Sequence, residues 1–375
     1  MKDKRILLLS PEPWGVSFVS KHHYAVELSR GNQVYFMGPP RRGQWLPRLQ
    51  AIQPGLFLLN RPWLPGVNRL PRLLRYWVHR LLAVAVTLAA GRSFDIIWNF
   101  DPYAFQDLSV FGRESLHIYH PVDVHRTLLE VECVRKSDVV FATSDMILAR
   151  LPKERTPQYQ INHGLSKSFL AAASEASTPP PVSARIRVGY VGNLHSQHLD
   201  YATLLQIVSA NPKIDFHFIG PAGISNLTLE ATRQEGLRQL QELPNTIFHG
   251  QLSPEAVGRT IQDFDLFLMC YRGEMMPAEM ANPHKVLEYL STGKVIVSNY
   301  VDQYKQHQHF IRMVERQEDL PALFKEVILN LDHYNSEEWS RARREFALDN
   351  TYQRQIERID AILATLKKSV PQIAR

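Results

Sequence analysis

Cysteine is nearly missing: Cys133 and Cys270 are the only two in 375 residues. They stand far apart, giving neither a disulfide framework nor a zinc-ligand spacing, so a reducing, cytosolic setting is the simplest expectation. Also missing is an apolar run of the roughly 20 residues that a membrane span needs. The longest, Leu81 to Ala90, is far shorter, and no segment is expected to cross a bilayer. The opening MKDKRILLLSPEP has too short an apolar core and no small-residue cleavage site, and reads as a first strand rather than a signal peptide. No G-x-G-x-x-G follows that strand, as a nicotinamide-binding domain would require. No repeat of solenoid period occurs.

Negative charge is absent from one long stretch. Between Leu28 and Phe94 there is no Asp or Glu, yet Arg30, Arg41, Arg42, Arg48, Arg61, Arg69, Arg72, Arg75, Arg80 and Arg92 fall there. Trp45, Trp63, Tyr76 and Trp77 are interleaved with leucines. Basic, aromatic and apolar residues together suit the headgroup region of an anionic membrane, which makes 41–92 a candidate contact surface on the inner face of the cell membrane. Nucleic acid is the competing polyanion, but no recognised binding motif accompanies these arginines, and none is expected as a partner. The bland alternative is a solvated basic face whose tryptophans are core.

What is present reads as a folded α/β chain. Apolar content is 45%, charged content 21% and net charge +6. The length favours two domains of about 150–200 residues. Lys4 to Ser10 reads as a strand, Phe18 to Arg30 as a helix and Val34 to Met37 as a strand, the opening of a parallel sheet with crossover helices. Arg41 to Asn68 reads as an excursion from that sheet, and Leu70 to Ala90 as a long helix. Further strands are expected at Asp95 to Trp98, Leu116 to Tyr119 and Asp138 to Ala142, the last followed by Ser144-Asp145 as a helix cap.

Ligands collect at the carboxyl ends of strands in such sheets. Those ends deliver Glu12, Trp14, His22 and His23, then Asp101, then His120, Asp123 and His125. Asp123, Asp101 and Glu12 are therefore the candidate catalytic carboxylates, with Asp123 favoured as general base and His120 and His125 able to orient a substrate. A lone Asp in such a place is more often a cap or turn former.

Ala171 to Ser183, AAASEASTPPPVS, looks like a semi-rigid linker, and the α/β rhythm restarts after it. Arg187 to Val191 is a strand, turning at Gly192-Asn193, where glycine lets backbone approach a ligand. His195 or His198 could contact phosphate. Phe216 to Ile219 ends at Gly220-Pro221. Asp265 to Met269 leads to Arg272, whose planar fork suits phosphate oxygens. Asp263-Phe264-Asp265 spells D-x-D, read here as a helix end joined to a strand start; His307 and His309 lack partners for a metal, and no metal site is expected.

The most informative stretch is NPHKVLEYLSTGKVIV, Asn282 to Val297. Asn282 is placed to cap a helix with Pro283 in its first turn, Val286, Leu287 and Leu290 as the apolar stripe, and Gly293 as the stop. The helix start and Lys285 could hold a diphosphate, and Glu288 a ribose. Asn282, Pro283, His284, Lys285 and Glu288 thus join Gly192, Asn193, His195, Gly220 and Arg272 as candidate nucleotide contacts. The bland alternative is an amphipathic helix packed on a sheet, with Lys285 and Glu288 a solvated pair.

N-P-x-K-x-x-E-Y-L-x-x-G-K-x-x-V is similar to the donor-site signature of bacterial GT-B glycosyltransferases, particularly those building capsular or teichuronic surface polysaccharides. Other blocks resemble the same family: Tyr190 to Leu205, Phe216 to Gly220, Asn245 to Glu255, and NHGLSKSF ending the first domain, where His163 is inserted. The resemblance implies two Rossmann-like domains facing an interdomain cleft. Residues 1–175 would bind acceptor and 184–349 the nucleotide sugar, with the helix in 350–375 crossing back onto the first. It implies transfer of a sugar from a UDP- or GDP-linked donor to a glycan or lipid-linked acceptor, with no cofactor or metal beyond that co-substrate. Two departures stand out. Histidines replace the basic pair that many retaining members carry after Gly192, and Met280 stands where they have a glutamate, with Glu279 one place off. Glu274 lies in the same loop. A nucleotide-sugar epimerase and a non-catalytic sugar-nucleotide-binding module are the rival readings.

Overall fold

The computed structural model describes residues 1–15, 18–125, 127–153, 155–175, 185–222, 231–272, 277 and 280–369. Glu274, Glu279 and linker residues 176–183 lie outside these. The chain forms two compact units, Met1–His163 with Tyr352–Arg375, and Gly164–Thr351.

The first unit opens with β1 (Arg5–Leu9), α1 (Ser20–Leu28) and β2 (Gln33–Met37), continuing with β3 (Arg48–Gln53), β4 (Leu56–Asn60) and α2 (Arg72–Ala90). Then come β5 (Ile96–Asn99), β6 (Leu116–Tyr119), α3 (Leu129–Arg135), β7 (Val139–Ala142), α4 (Asp145–Arg150) and β8 (Gln158–Gln160). The eight strands lie in the order β3-β4-β2-β1-β5-β6-β7-β8, parallel except for β3. Successive β1 residues serve opposite cores: Ile6 and Leu8 pack with Tyr24 and Trp98, Leu7 and Leu9 with Val86 and Phe105. Burial on both faces explains why its sequence is continuously apolar.

Residues 41–68 are not an excursion: β3 and β4 extend the sheet beside β2. Leu56 and Leu59 are fully buried there, while the flanking Pro, Trp and Arg residues hide the short apolar run. Helix α2, 19 residues at mean hydropathy 1.3, is long and apolar enough to cross a membrane, which the shorter run from Leu81 did not register. One stripe of it, Leu82, Ala83, Val86 and Ala90, is nonetheless packed into the first unit's core.

The second unit contains α5 (Lys167–Glu175), β9 (Arg187–Val191), α6 (Tyr201–Ala210), β10 (Asp215–Ile219), α7 (Ala231–Glu242) and β11 (Thr246–Gly250). It continues through α8 (Pro254–Thr260), β12 (Leu266–Met269), α9 (Lys285–Leu290), β13 (Val295–Asn299) and β14 (Ile311–Val314). Helices α10 (Leu320–Leu329), α11 (Leu331–Tyr334) and α12 (Glu337–Asp349) close it. Its six parallel strands run β11-β10-β9-β12-β13-β14, so the order reverses between β9 and β12.

The boundary precedes the expected linker. Leu165 N donates to the Asn350 carbonyl at 2.7 Å, and Phe169 and Ala172 of α5 are buried, Phe169 beside Val257. This alanine-rich segment is a packed helix of the second unit. Helix α13 (Tyr352–Ser369) belongs to the first, where Tyr352, Ile359 and Leu363 join its core and Gln355 Nε2 donates to the His163 carbonyl.

Candidate functional site

In the second unit the carboxyl ends of β9 and β12 meet where the strand order reverses. Gly192 N donates to the Ile219 carbonyl at 2.9 Å, and a Cβ on Gly220 would fall 1.9 Å from Gly192 O. Gly220 also has φ +141°, so only glycine permits this approach. Its role is to seat the Gly192 turn. Asn193 Oδ1 accepts from His195 N at 2.9 Å and fixes the loop that follows. That loop is bound to the extension of β12: Arg272 N donates to the His198 carbonyl at 2.8 Å, and Asp200 N to the Cys270 carbonyl at 3.0 Å. Asp200 then caps α6 by accepting from Ala202 N. His195 Nδ1 is shielded from solvent and has no partner among the described residues.

Helix α9 is fastened to the same strand end through Tyr289. Its hydroxyl accepts from Val191 N at 2.8 Å, and its ring stacks on Phe267 at 4.1 Å. The preceding residue, Glu288, is largely buried; burial pushes its carboxyl up and Lys285 partly offsets that. Lys285 Nζ lies 3.3 Å from Glu288 Oε2 and His284 Nε2 3.7 Å from Oε1. Burial, with the Glu288 charge adding to it, pushes the Tyr271 phenol up to about 12.

Two details differ from the sequence reading. The helix has six residues and begins at Lys285, with His284 rather than Asn282 at its cap. The first bond of the turn runs from Val286 N to the Pro283 carbonyl, so Asn282 and Pro283 precede the regular helix. And Lys285 and Glu288 form the ion pair of the bland alternative, but largely buried rather than solvated.

In the first unit, α1 inserts Lys21 between two of the candidate carboxylates. Its Nζ lies 2.9 Å from Asp123 Oδ2 and 3.2 Å from Glu12 Oε1. Desolvation raises the Asp123 carboxyl, but the Lys21 ammonium outweighs it and holds the group below its usual value. Asp101 is buried, 3.9 Å from Arg61 and accepting from Tyr103 N at 2.9 Å; burial pushes its carboxyl up, and His125 lies within electrostatic reach of Asp101, Asp123 and Glu12 alike. Arg61 and Asp101 line a cavity of about 610 Å³ together with Pro11, Pro39, Trp63 and Asn68.

No family model matches the chain, and no curated protein matches it. Solved structures do. Sucrose-phosphate synthase from Thermosynechococcus elongatus matches at TM-score 0.71 and 13% identity, over 98% of this chain and 100% of that one. A trehalose-6-phosphate protein from E. coli, bound with UDP-2-fluoro glucose, matches at 0.70 and 12%, over 98% and 100%. Anabaena HepE in complex with UDP-glucose matches at 0.67 and 14%, over 96% and 100%. The fold is GT-B.

Within this GT-B chain the second unit brings together Gly192, Asn193, His195, Arg272 and, through Tyr289, Glu288. Gly220 supports them from behind. In the first unit Glu12 and Asp123 share Lys21, while Asp101 serves the Arg61 pair. His120 is fully buried, stacks on Phe100 at 4.9 Å, and burial lowers its imidazole to about 3. His22 stacks on Phe36 and its Nδ1 accepts from Val19 N at 3.2 Å at the start of α1, while His23 stacks on Tyr352. In the D-x-D, Asp265 accepts from Arg187 N at 2.7 Å.

Lys21 and Tyr289 were missed. Tyr289 stood inside the N-P-x-K-x-x-E-Y motif, so its placement beside Glu288 was available. Nothing local marked Lys21, because its partners are 9 and 102 residues away.

Proposed function

We propose that this chain transfers a sugar from a nucleoside diphosphate donor, UDP- or GDP-linked, to a hydroxyl acceptor. The observation that carries the reading is the convergence of the Gly192 turn, Arg272 and Glu288 at the strand-order reversal of the second unit. Open α/β sheets bind ligands at that place. In this reading Glu288 accepts from the ribose hydroxyls. Arg272, Lys285 and the backbone of the Gly192-Asn193 turn neutralise the diphosphate as its bond to the sugar breaks, a stabilisation that does not require a metal. The orphaned Nδ1 of His195 offers a further polar contact at the turn.

The acceptor hydroxyl bonds to the anomeric carbon as the bond to the diphosphate breaks, and its proton passes to a carboxylate, Asp123 being the first candidate and Glu12 and Asp101 the others. The acceptor is a glycan or lipid-linked saccharide of polysaccharide biosynthesis, met at the inner face of the membrane. The cavity lined by Trp63, Arg61 and Asp101 has the volume for a saccharide.

Titration calorimetry with UDP and with GDP tests the donor site. Glu288→Ala should weaken the preferred nucleotide by about tenfold or more, as expected for lost hydrogen bonds to a charged group. Unchanged affinity would remove Glu288 from the site.

A further inference from the structure

Helix α2 has two apolar faces. Leu82, Ala83 and Val86 enter the core, whereas Leu73, Trp77, Leu81, Val84 and Leu88 are exposed and fall on one stripe at three- and four-residue spacing. Leu81 is 71% exposed and Leu88 75%. Trp45, 90% exposed, precedes β3, which packs beside α2. Contiguous exposed apolar surface of this kind marks an interaction site.

The exposed charge that residues 28–94 bring to it is positive. Arg41, Arg42, Arg48, Arg69 and Arg92 are exposed and make no ion pair among the described residues, while Arg42 sits 4.7 Å over the Trp63 ring. Glu132 of α3 pairs with Arg72 and Arg75 and neutralises that end only in part. From Leu28 to Phe94 the chain supplies no carboxylate of its own.

We infer that the outer face of α2, with Trp45 and its arginines, docks on an anionic phospholipid bilayer with the helix lying along the surface. The apolar stripe enters the headgroup–acyl boundary and the arginines meet lipid phosphates. The helix does not span, because its inner stripe is held in the core of the sheet. A second copy is a poorer occupant, since a two-fold interface would set arginine against arginine. Trp63 and Leu64 are exposed and also line the cavity, so docking brings that cavity beside the headgroups. That a lipid-linked acceptor enters it there rests on the proposed sugar transfer.

Flotation of the full chain with phosphatidylcholine vesicles, with and without phosphatidylglycerol, tests the docking. The protein should float with the anionic vesicles only, and high salt should release much of it. Leu81→Glu should lower the partition about tenfold or more with an unchanged melting temperature, since the side chain is exposed. Equal recovery with both vesicles, or flotation indifferent to Leu81→Glu, overturns the inference. So does a dimer in size-exclusion chromatography that Leu81→Glu splits while the wild type stays off vesicles. Nucleotide release with a water-soluble acceptor should survive Leu81→Glu. Flotation without any turnover would sink the transfer reading and leave the docking standing; turnover without flotation would do the reverse.

Discussion

The Lys21 ammonium lies 2.9 Å from Asp123, yet the lysine side chain is 3% exposed and the aspartate 67%. A buried cation thus holds an exposed carboxylate, with Glu12 as its second partner. Desolvation raises the Asp123 carboxyl, and the lysine charge and hydrogen bond more than reverse it. It is ionised at neutral pH, the state a general base requires before it takes a proton.

Removing that cation should change how stability depends on acid. Because the folded-state pKa of Asp123 is depressed, its contribution is present above the unfolded value, about 3.9, and is lost as pH falls through the folded value. Wild-type thermal midpoints should therefore drop on acidification below about pH 4. In Lys21→Met the part of that drop due to Asp123 should shrink. Parallel curves for the two proteins would show that the pair carries no linkage. The same variant should move the acid limb of any transfer rate upward in pH.

Arg61 and Asp101 are both buried and 3.9 Å apart, so each is costly without the other. Arg61→Met should destabilise the chain by about 3–5 kcal/mol. Adding Asp101→Asn should recover part of the loss, giving a coupling above about 1 kcal/mol in a denaturant-unfolding cycle. Additive costs would mean that the two charges are solvated independently.

Gly220→Ala places a methyl against Gly192 O and forces a side chain onto a backbone at φ +141°. A loss of roughly 2–4 kcal/mol is expected, together with displacement of the turn and weaker nucleotide binding. Gly15→Ala, at φ +89° with nothing within 4 Å of the new Cβ, isolates the conformational part and should cost about 1 kcal/mol. Equal losses in the two variants would deny the close approach any importance.

Elements buried on both faces were legible because their signal is local. Val139 to Ala142 is a short apolar run and Leu116 to Tyr119 one interrupted only by His117, both ended by polar residues, and Ser144 caps α4 as its position suggests, accepting from Ile147 N at 3.2 Å. The strands at 48–60 were not legible: β3 is almost wholly exposed, and it becomes a strand by pairing with β4 across the Gly55 turn. The cap at Asn282 failed for a related reason. Capping residues and proline fix where a helix can start, while Val286 N, bonded to the Pro283 carbonyl, sets where the regular turns begin. Histidines were the hardest to assign, since an imidazole near a strand end is equally compatible with a ligand or, as at His120, a stack of aromatic rings.

By itself the sequence determined the alternation of strands and helices, the basic and acid-free stretch, and the motif that places Lys285 and Glu288 one helical turn apart. Those properties depend on neighbours within a few positions, where backbone geometry and side-chain period act directly. Tertiary structure alone decided that Lys21 bridges Glu12 and Asp123, that Tyr289 ties α9 to β9, and that α5 belongs to the second unit. Each depends on groups brought together across long separations by sheet order, and no local pattern of residues encodes that order.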